Sequence, residues 1–460
     1  MRLNKGFKAG VIAISLAAVA TGCGSSRSDD PPSSGGATTP PASAASFGDL
    51  ESPCGEGDAS GATDQGVTDE SIAIGYGDDR GFTSAPGLAQ EVGDAVDAMV
   101  AWCNEQGGIN GRELVGTRYD AAVSNMVPVM KEACGEEFML VGDGFANDFA
   151  GDPIRVACKL PHVPAYTVGG NAAMGELKIE PMPYPADRYN AGGLKAAMEM
   201  VPELKESIAI INTDAPATQV SNYKVGAALA QLGVQPKDCG ITLHMAGESS
   251  YAPLAQKLKD CDVKSFFNSY TPSPQIFGLL EANQQAGLKL PQFAESQWYG
   301  QVGAAWNAQT KVADGMLTTQ TVQPLENADV NEAVAQYKEL VEGNGGKTGM
   351  LGEYATSAFL LWATAAKECG SELTRDCVME KMAEVENWTA GGLQAPTNPG
   401  ENQPTDCTML VELNGGTWEQ VYPETKGEFA CDPANVIDMD PAISGIEINE
   451  DRTFKAFLQQ

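Results

Sequence analysis

The chain has 460 residues, 43% hydrophobic and 20% charged, with 61 acidic against 29 basic side chains and a formal net charge of -32. That length exceeds what one hydrophobic core usually serves, so two packed halves are expected. The acids are spread along the chain, and so negative a molecule repels phosphate backbones and anionic headgroups, which argues against nucleic acid as a partner.

Residues 1–23 read as an export segment. Arg2, Lys5 and Lys8 make a positive start, followed by the apolar run Ala9–Ala20. A run of about a dozen residues is too short to span a bilayer, which needs roughly 20. It ends in Val19-Ala20-Thr21-Gly22-Cys23, which resembles the lipobox of bacterial lipoproteins, although Ala20 stands where Leu is more usual. The resemblance implies that Cys23 is lipidated and anchors the protein to the outer face of the cytoplasmic membrane. Residues 24–53 are rich in Ser, Pro, Gly and Ala. They bury too little apolar area to offset their ordering entropy, and are expected to form a disordered tether reaching roughly 30 Å.

From there strand and helix patterns alternate. Ser71–Gly77 reads as a buried strand ending in a glycine turn, and Ala89–Gln106 as a helix with Val92, Val96, Met99, Val100 and Cys103 on one face. Gly107-Gly108 stops that helix. A strand at Glu113–Tyr119, a helix at Met126–Cys134 and strands at Phe138–Gly142 and His162–Thr167 follow. A new register starts at Tyr189, with helices at 190–202, 217–232, 251–260 and 273–286. They alternate with strands at Ser207–Ile211, Gly240–His244, Val263–Phe267 and Pro291–Glu295. Long helices at 330–342 and 353–369 come later. Strands separated by helices of this length form parallel sheets covered on both faces. Two such runs joined by the proline-rich stretch near 179–188 predict two lobes and a hinge, with further crossings near 316–326 and 389–396.

Setting Cys23 aside leaves ten cysteines, at 54, 103, 134, 158, 239, 261, 369, 377, 407 and 431. None forms a CxxC pair and there are only two histidines, so zinc-site spacing is lacking and no metal or cofactor is expected. In an oxidising compartment an even, scattered set reads as five disulfides, whose pairing these spacings leave open.

Enzymatic readings are weak. Neither His162 nor His244 lies near a G-x-S-x-G elbow. Gly75-Tyr76-Gly77-Asp78-Asp79-Arg80-Gly81 has the look of a dinucleotide loop, but Pro86 intervenes before any helix. Gly345-Gly346-Lys347-Thr348 lacks the first glycine of a phosphate loop and follows a helix.

Asn104-Glu105-Gln106-Gly107-Gly108-Ile109-Asn110-Gly111-Arg112, followed by Asp120, is similar to a hallmark of branched-chain amino-acid-type, or type I, periplasmic binding proteins. Val163-Pro164-Ala165-Tyr166-Thr167, Tyr251–Lys259 and Ala313-Asp314-Gly315 resemble further segments of that family in the same order. The likeness runs from about Gly66 to Val421, and the cysteine pattern looks most like the lipoproteins of high-GC Gram-positive (actinobacterial) bacteria.

The resemblance implies two doubly wound α/β lobes with central parallel sheets joined by a three-segment hinge. Lobe I is expected at 66–183 plus 320–390, lobe II at 186–314 plus 392–431, and a C-terminal tail at 432–460. The disulfides it suggests are Cys54–Cys103, Cys134–Cys158, Cys239–Cys261, Cys369–Cys377 and Cys407–Cys431. The implied function is capture of a small amino-acid-like, amide or organic-acid solute by a monomer, for delivery to the permease and ATPase of an ABC importer. A ligand-sensing receptor component with the same fold is the alternative.

Ligands of such sheets sit beyond the carboxyl ends of the strands. In lobe I this nominates Arg80, Phe145, Ala146, Asn147, Ala165, Tyr166 and Thr167. In lobe II it nominates Ala217, Tyr270, Gln297, Trp298 and Tyr299. The family's acidic partner for a ligand ammonium falls near Gln297, so leucine-like zwitterions fit less well, and Tyr270, Trp298 and Tyr299 are expected to wall an aromatic pocket.

Overall fold

The computed structural model describes residues 46–214 and 216–439. The export segment, Cys23 and most of the tether therefore lie outside the described residues, as does the tail after residue 439. No helix among the described residues is long and apolar enough to cross a membrane.

Two sheets organise the chain. The first has four parallel strands in the spatial order Glu113–Asp120, Ser71–Asp78, Met139–Val141, His162–Val163. The second runs Ile208–Ile210, Ser265–Asn268, Gln292–Ala294, Met316–Gln320, all parallel, and then adds Cys407–Asn414 and Thr417–Tyr422 antiparallel. Thr242–Leu243 pairs in parallel with Asn212–Thr213, which follows the Ile208–Ile210 strand after one residue. Both halves thus wind in the order 2-1-3-4, one of the open parallel windings that alternating strand and helix patterns allow.

The long apolar helix Met350–Cys369 forms the centre of the first core, with Phe359 and Trp362 fully buried. The helix Gln90–Glu105 packs beside it through Val92, Val96, Met99 and Cys103. The second sheet is covered on both faces: Trp298, Phe266 and Val411 lie in one cluster, and Phe267, Phe293 and Leu410 in another. Neighbouring residues fall in opposite clusters because side chains alternate across a strand.

Three segments meet where the halves join. The Ala395 N–H donates to the Thr321 carbonyl at 2.8 Å, and the Gln323 N–H to the Leu393 carbonyl at 2.9 Å. Thr397 Oγ1 and Gln394 Nε2 both donate to the Pro181 carbonyl, at 2.7 and 3.1 Å.

Boundaries differ from expectation in three places. Within the stretch assigned to the tether, Ser46–Phe47 pairs with Leu50–Glu51, and Phe47 is fully buried against Trp102. Phe47 is the first aromatic after the Ser/Pro-rich run, and Cys54 fastens this segment to Cys103. Leu393, placed with the second lobe, belongs to the first core, so that crossing comes later than 392. The start of the tail is built in: Val436–Asp438 pairs antiparallel with Arg188–Asn190, and Met439 joins the second core. The five disulfides are Cys54–Cys103, Cys134–Cys158, Cys239–Cys261, Cys369–Cys377 and Cys407–Cys431, the set that the resemblance implies.

One core group opposes the apolar rule. Glu353, in the first turn of the Met350–Cys369 helix, is fully buried, and neither carboxyl oxygen has a hydrogen-bond partner among the described residues. Burial raises its pKa well above the ordinary 4.5. A raised folded value means that its contribution to stability is fully present below the unfolded pKa and is lost as pH rises towards the folded one. Glu353→Met, close in volume and without polar atoms, should therefore stabilise the protein by about 1–3 kcal/mol at neutral pH. The gain should shrink towards pH 4, and denaturation curves across pH would show it; a variant less stable than wild type at pH 8 would contradict the assignment.

Candidate ligand-binding site

In a 2-1-3 winding the chain leaves strands 1 and 3 in opposite directions, opening a crevice at their carboxyl ends. In the first half this lies between Asp78-Asp79 and the loop Gly142–Asn147. Only glycine at 144 leaves room for the Tyr166 ring that covers it. In the second half the corresponding ends are Thr213-Asp214 and Ser269-Tyr270.

Several backbone N–H groups at the first crevice are already occupied by the chain's own carboxylates. Asp79 accepts from Val123 N–H at 2.6 Å and Ala146 N–H at 2.7 Å. Asp148 accepts from Val168 and Gly169 N–H at 2.7 and 2.8 Å. Glu180 accepts from the Thr167 N–H at 3.0 Å and the Thr167 hydroxyl at 2.9 Å, and from Lys178 Nζ at 2.9 Å. Lys178 also donates to Asn402 Oδ1 at 3.1 Å. Burial pushes the Asp148 carboxyl up to about 7 in spite of its two N–H donors, and raises Asp79 as well.

A second group of ionisable side chains gathers where the halves meet. Lys224, on the helix Pro216–Gln231, donates to the Pro185 and Tyr184 carbonyls at 2.7 and 3.1 Å. Its ammonium also lies 3.2 Å from the centroid of the Tyr184 ring, so its donor directions are spent on the hinge. Burial lowers Lys224 to about 7. Glu295, at the end of the strand Gln292–Ala294, keeps partial solvent contact, yet burial lifts its carboxyl to about 7 against the opposing pull of Lys224. No side-chain hydrogen bond or ion pair reaches Glu295 among the described residues. Tyr354 meets Thr321 Oγ1 at 3.2 Å and feels both Glu295 and Glu180. Partial accessibility combined with strong desolvation is the signature of groups lining a narrow cleft.

The nominated residues divide on this geometry. Tyr166 and Thr167 sit at the first crevice, but both donors of Thr167 go to Glu180. Ala146 offers its N–H to Asp79, while Asn147 Nδ2 bonds the Val123 carbonyl. Arg80 is half-exposed and pairs with Asp78 at 3.0 Å. Phe145 and Ala165 are buried in first-half clusters. The side chain of Ala217 lies outside the described residues. Tyr270 is almost buried within the second core. Trp298 is fully buried, edge-on to Phe277 and Trp306 with its indole N–H on Asn268 Oδ1 at 2.8 Å, so it packs the core and walls no pocket. Tyr299 donates its hydroxyl to Glu326 at 2.6 Å.

Gln297 spends its amide on the Ser269 carbonyl at 2.8 Å, while two residues earlier Glu295 is a partly exposed carboxyl that feels Lys224. Glu295 closes the apolar strand, and the rule that sites lie at strand ends picks it out before Gln297. Glu180, Lys224, Tyr184 and Tyr354 were missed as well. Only the proline-flanked Tyr184 carries a local signal, its place in the hinge.

A cavity of about 10 Å³ lies behind the first crevice, lined by Asp143, Asp148, Arg155, His162 and Tyr166 among others. It has room for one water at most, so it is no solute site. His162 Nε2 lies 2.9 Å from Asp143 there, a satisfied buried pair.

A sequence profile described as periplasmic binding protein matches residues 166–417. No curated protein matches the chain in sequence. Among solved structures, a fatty acid ABC transporter substrate-binding protein from Thermomonospora curvata superposes with a TM-score of 0.68 at 15% identity, covering 81% of this chain and 96% of that one. A leucine-binding protein from Thermotoga maritima gives 0.62 at 14%, covering 79% and 99%. A solute-binding protein of an ABC transporter from R. palustris, in complex with 4-hydroxybenzoate, gives 0.60 at 15%, covering 85% and 100%. At such identities these likenesses speak for the fold.

Proposed function

The chain belongs to the periplasmic binding protein family, a family of extracytoplasmic solute-binding proteins and not of enzymes, and on that premise we propose that it is a lipid-anchored monomer feeding an ABC importer. In this reading residues 1–23 direct export, Cys23 carries the acyl chains, and the stretch up to residue 45 tethers the head near the permease. The two halves act as lobes that close about the three-segment hinge on one small solute. Tyr166 and the Thr167–Glu180 pair offer the first-lobe wall, Glu295 the second, and Tyr184 and Tyr354 the hinge side.

The observation that carries this reading is the cluster of desolvated ionisable groups contributed by both halves beside the hinge, with Glu295 partly exposed and unpaired among the described residues. A desolvated carboxyl without a partner is costly to keep, which is the mark of a ligand site. The test is a thermal-shift screen of the mature protein against small solutes. A binder at ~100 times its dissociation constant should add about 2.7 kcal/mol of stability. Deleting the gene should abolish uptake of that solute, and uptake that survives would turn the assignment away from an importer.

A further inference from the structure

We infer that the solute taken between the two halves has no carboxylate head and instead presents N–H or O–H donors; this rests on the solute-binding reading above. At the ends of parallel strands the natural attraction for an anion is a set of unpaired backbone N–H groups. Here several of those groups are taken from within. Asp79 takes the N–H of Ala146, Asp148 those of Val168 and Gly169, and Glu180 both donors of Thr167. A ligand carboxylate would have to displace a buried carboxylate of the protein from each of these places.

The cations near the site are equally committed. Lys178 is held by Glu180 and Asn402, and Lys224 by two hinge carbonyls and the Tyr184 ring. Arg80 and Arg118 are both paired with Asp78. Among the ionisable groups gathered where the halves meet, the one without a hydrogen-bond or ion-pair partner among the described residues is the Glu295 carboxyl, which keeps partial solvent contact. Desolvation raises it to about 7. An anionic head would meet no free cation there, whereas an amide, amine or hydroxyl would satisfy an acceptor that is now dehydrated and unbonded.

The test uses matched probes that share one body and differ in the head: 4-hydroxybenzoate with 4-hydroxybenzamide, L-leucine with L-leucinamide, and hexanoate with hexanamide. The mature wild-type protein is titrated with each by calorimetry. In every pair that binds, the amide should bind at least about tenfold more tightly than the carboxylate. A carboxylate that outbinds its amide overturns the inference and leaves the solute-binding reading standing. A protein that answers no member of these pairs and no solute of the broader screen loses that reading, and this one with it. Lys178→Met/Glu180→Ala removes a buried charge pair together and frees both donors of Thr167. It should shift the carboxylate-to-amide preference by about tenfold towards the carboxylates. A folded double variant that gains nothing for carboxylates also counts against the proposal.

Discussion

Replacing Arg118 by leucine should cost about 3–5 kcal/mol, the loss expected when one partner of a buried ionic network is removed and its counter-charges stay behind. Arg118 stands on the strand Glu113–Asp120 and binds three carboxylates: Asp78 at 2.6 Å, Asp94 at 2.8 Å and Asp97 at 2.6 Å. It also donates to the Gln90 carbonyl at 2.9 Å. Asp78 is fully buried, and desolvation raises its pKa even with Arg118 and Arg80 on its two oxygens. Without the guanidinium, Asp78 must ionise in a poor environment or bind a proton. The penalty should therefore be largest at neutral pH and shrink in acid, where the carboxyl is neutral in both states. Urea denaturation of Arg118→Leu and of Arg118→Leu/Asp78→Asn would measure it. The double variant should recover part of the loss, and a double variant that is simply the sum of two independent costs would show that the charges do not act together.

The second large effect concerns the disulfides. Cys54 and Cys103 are 49 residues apart in sequence, while Cys369 and Cys377 are separated by 8. In the chain-entropy account the longer loop is worth about 4 kcal/mol and the shorter about 2.5 kcal/mol. Cys54→Ala/Cys103→Ala should lower stability more than Cys369→Ala/Cys377→Ala. The first pair also ties the Phe47 hairpin region to the helix Gln90–Glu105, so its loss should open that region to proteolysis near residue 50. Equal losses for the two pairs would mean that local packing, and not loop closure, sets the effect.

Much of this architecture is readable without coordinates. Alternating strand and helix periods, with the Gly107-Gly108 stop and the proline-rich stretch near 179–188, are local signals that each correspond to an observed element or crossing. The hairpin Cys407–Asn414/Thr417–Tyr422 was missed although it carries one too: Gly415-Gly416, both at positive φ, form its turn. The ligand site is another matter. Trp298 and Tyr270 have the composition of a pocket wall, yet burial assigns them to the core. Thr167 has the hydroxyl that such a loop should offer, yet Glu180, thirteen residues later, has claimed it.

The difference has a physical cause. Periodicity, turn residues and cysteine count are properties of neighbouring residues, and they are enough to specify winding, two cores and the family pattern. Which donors remain free depends on side chains that approach from distant segments, such as Lys224 reaching the carbonyls of Tyr184 and Pro185. Desolvation likewise belongs to no single residue: Glu295 and Lys224 acquire shifted ionisation only because folding encloses them in the same place.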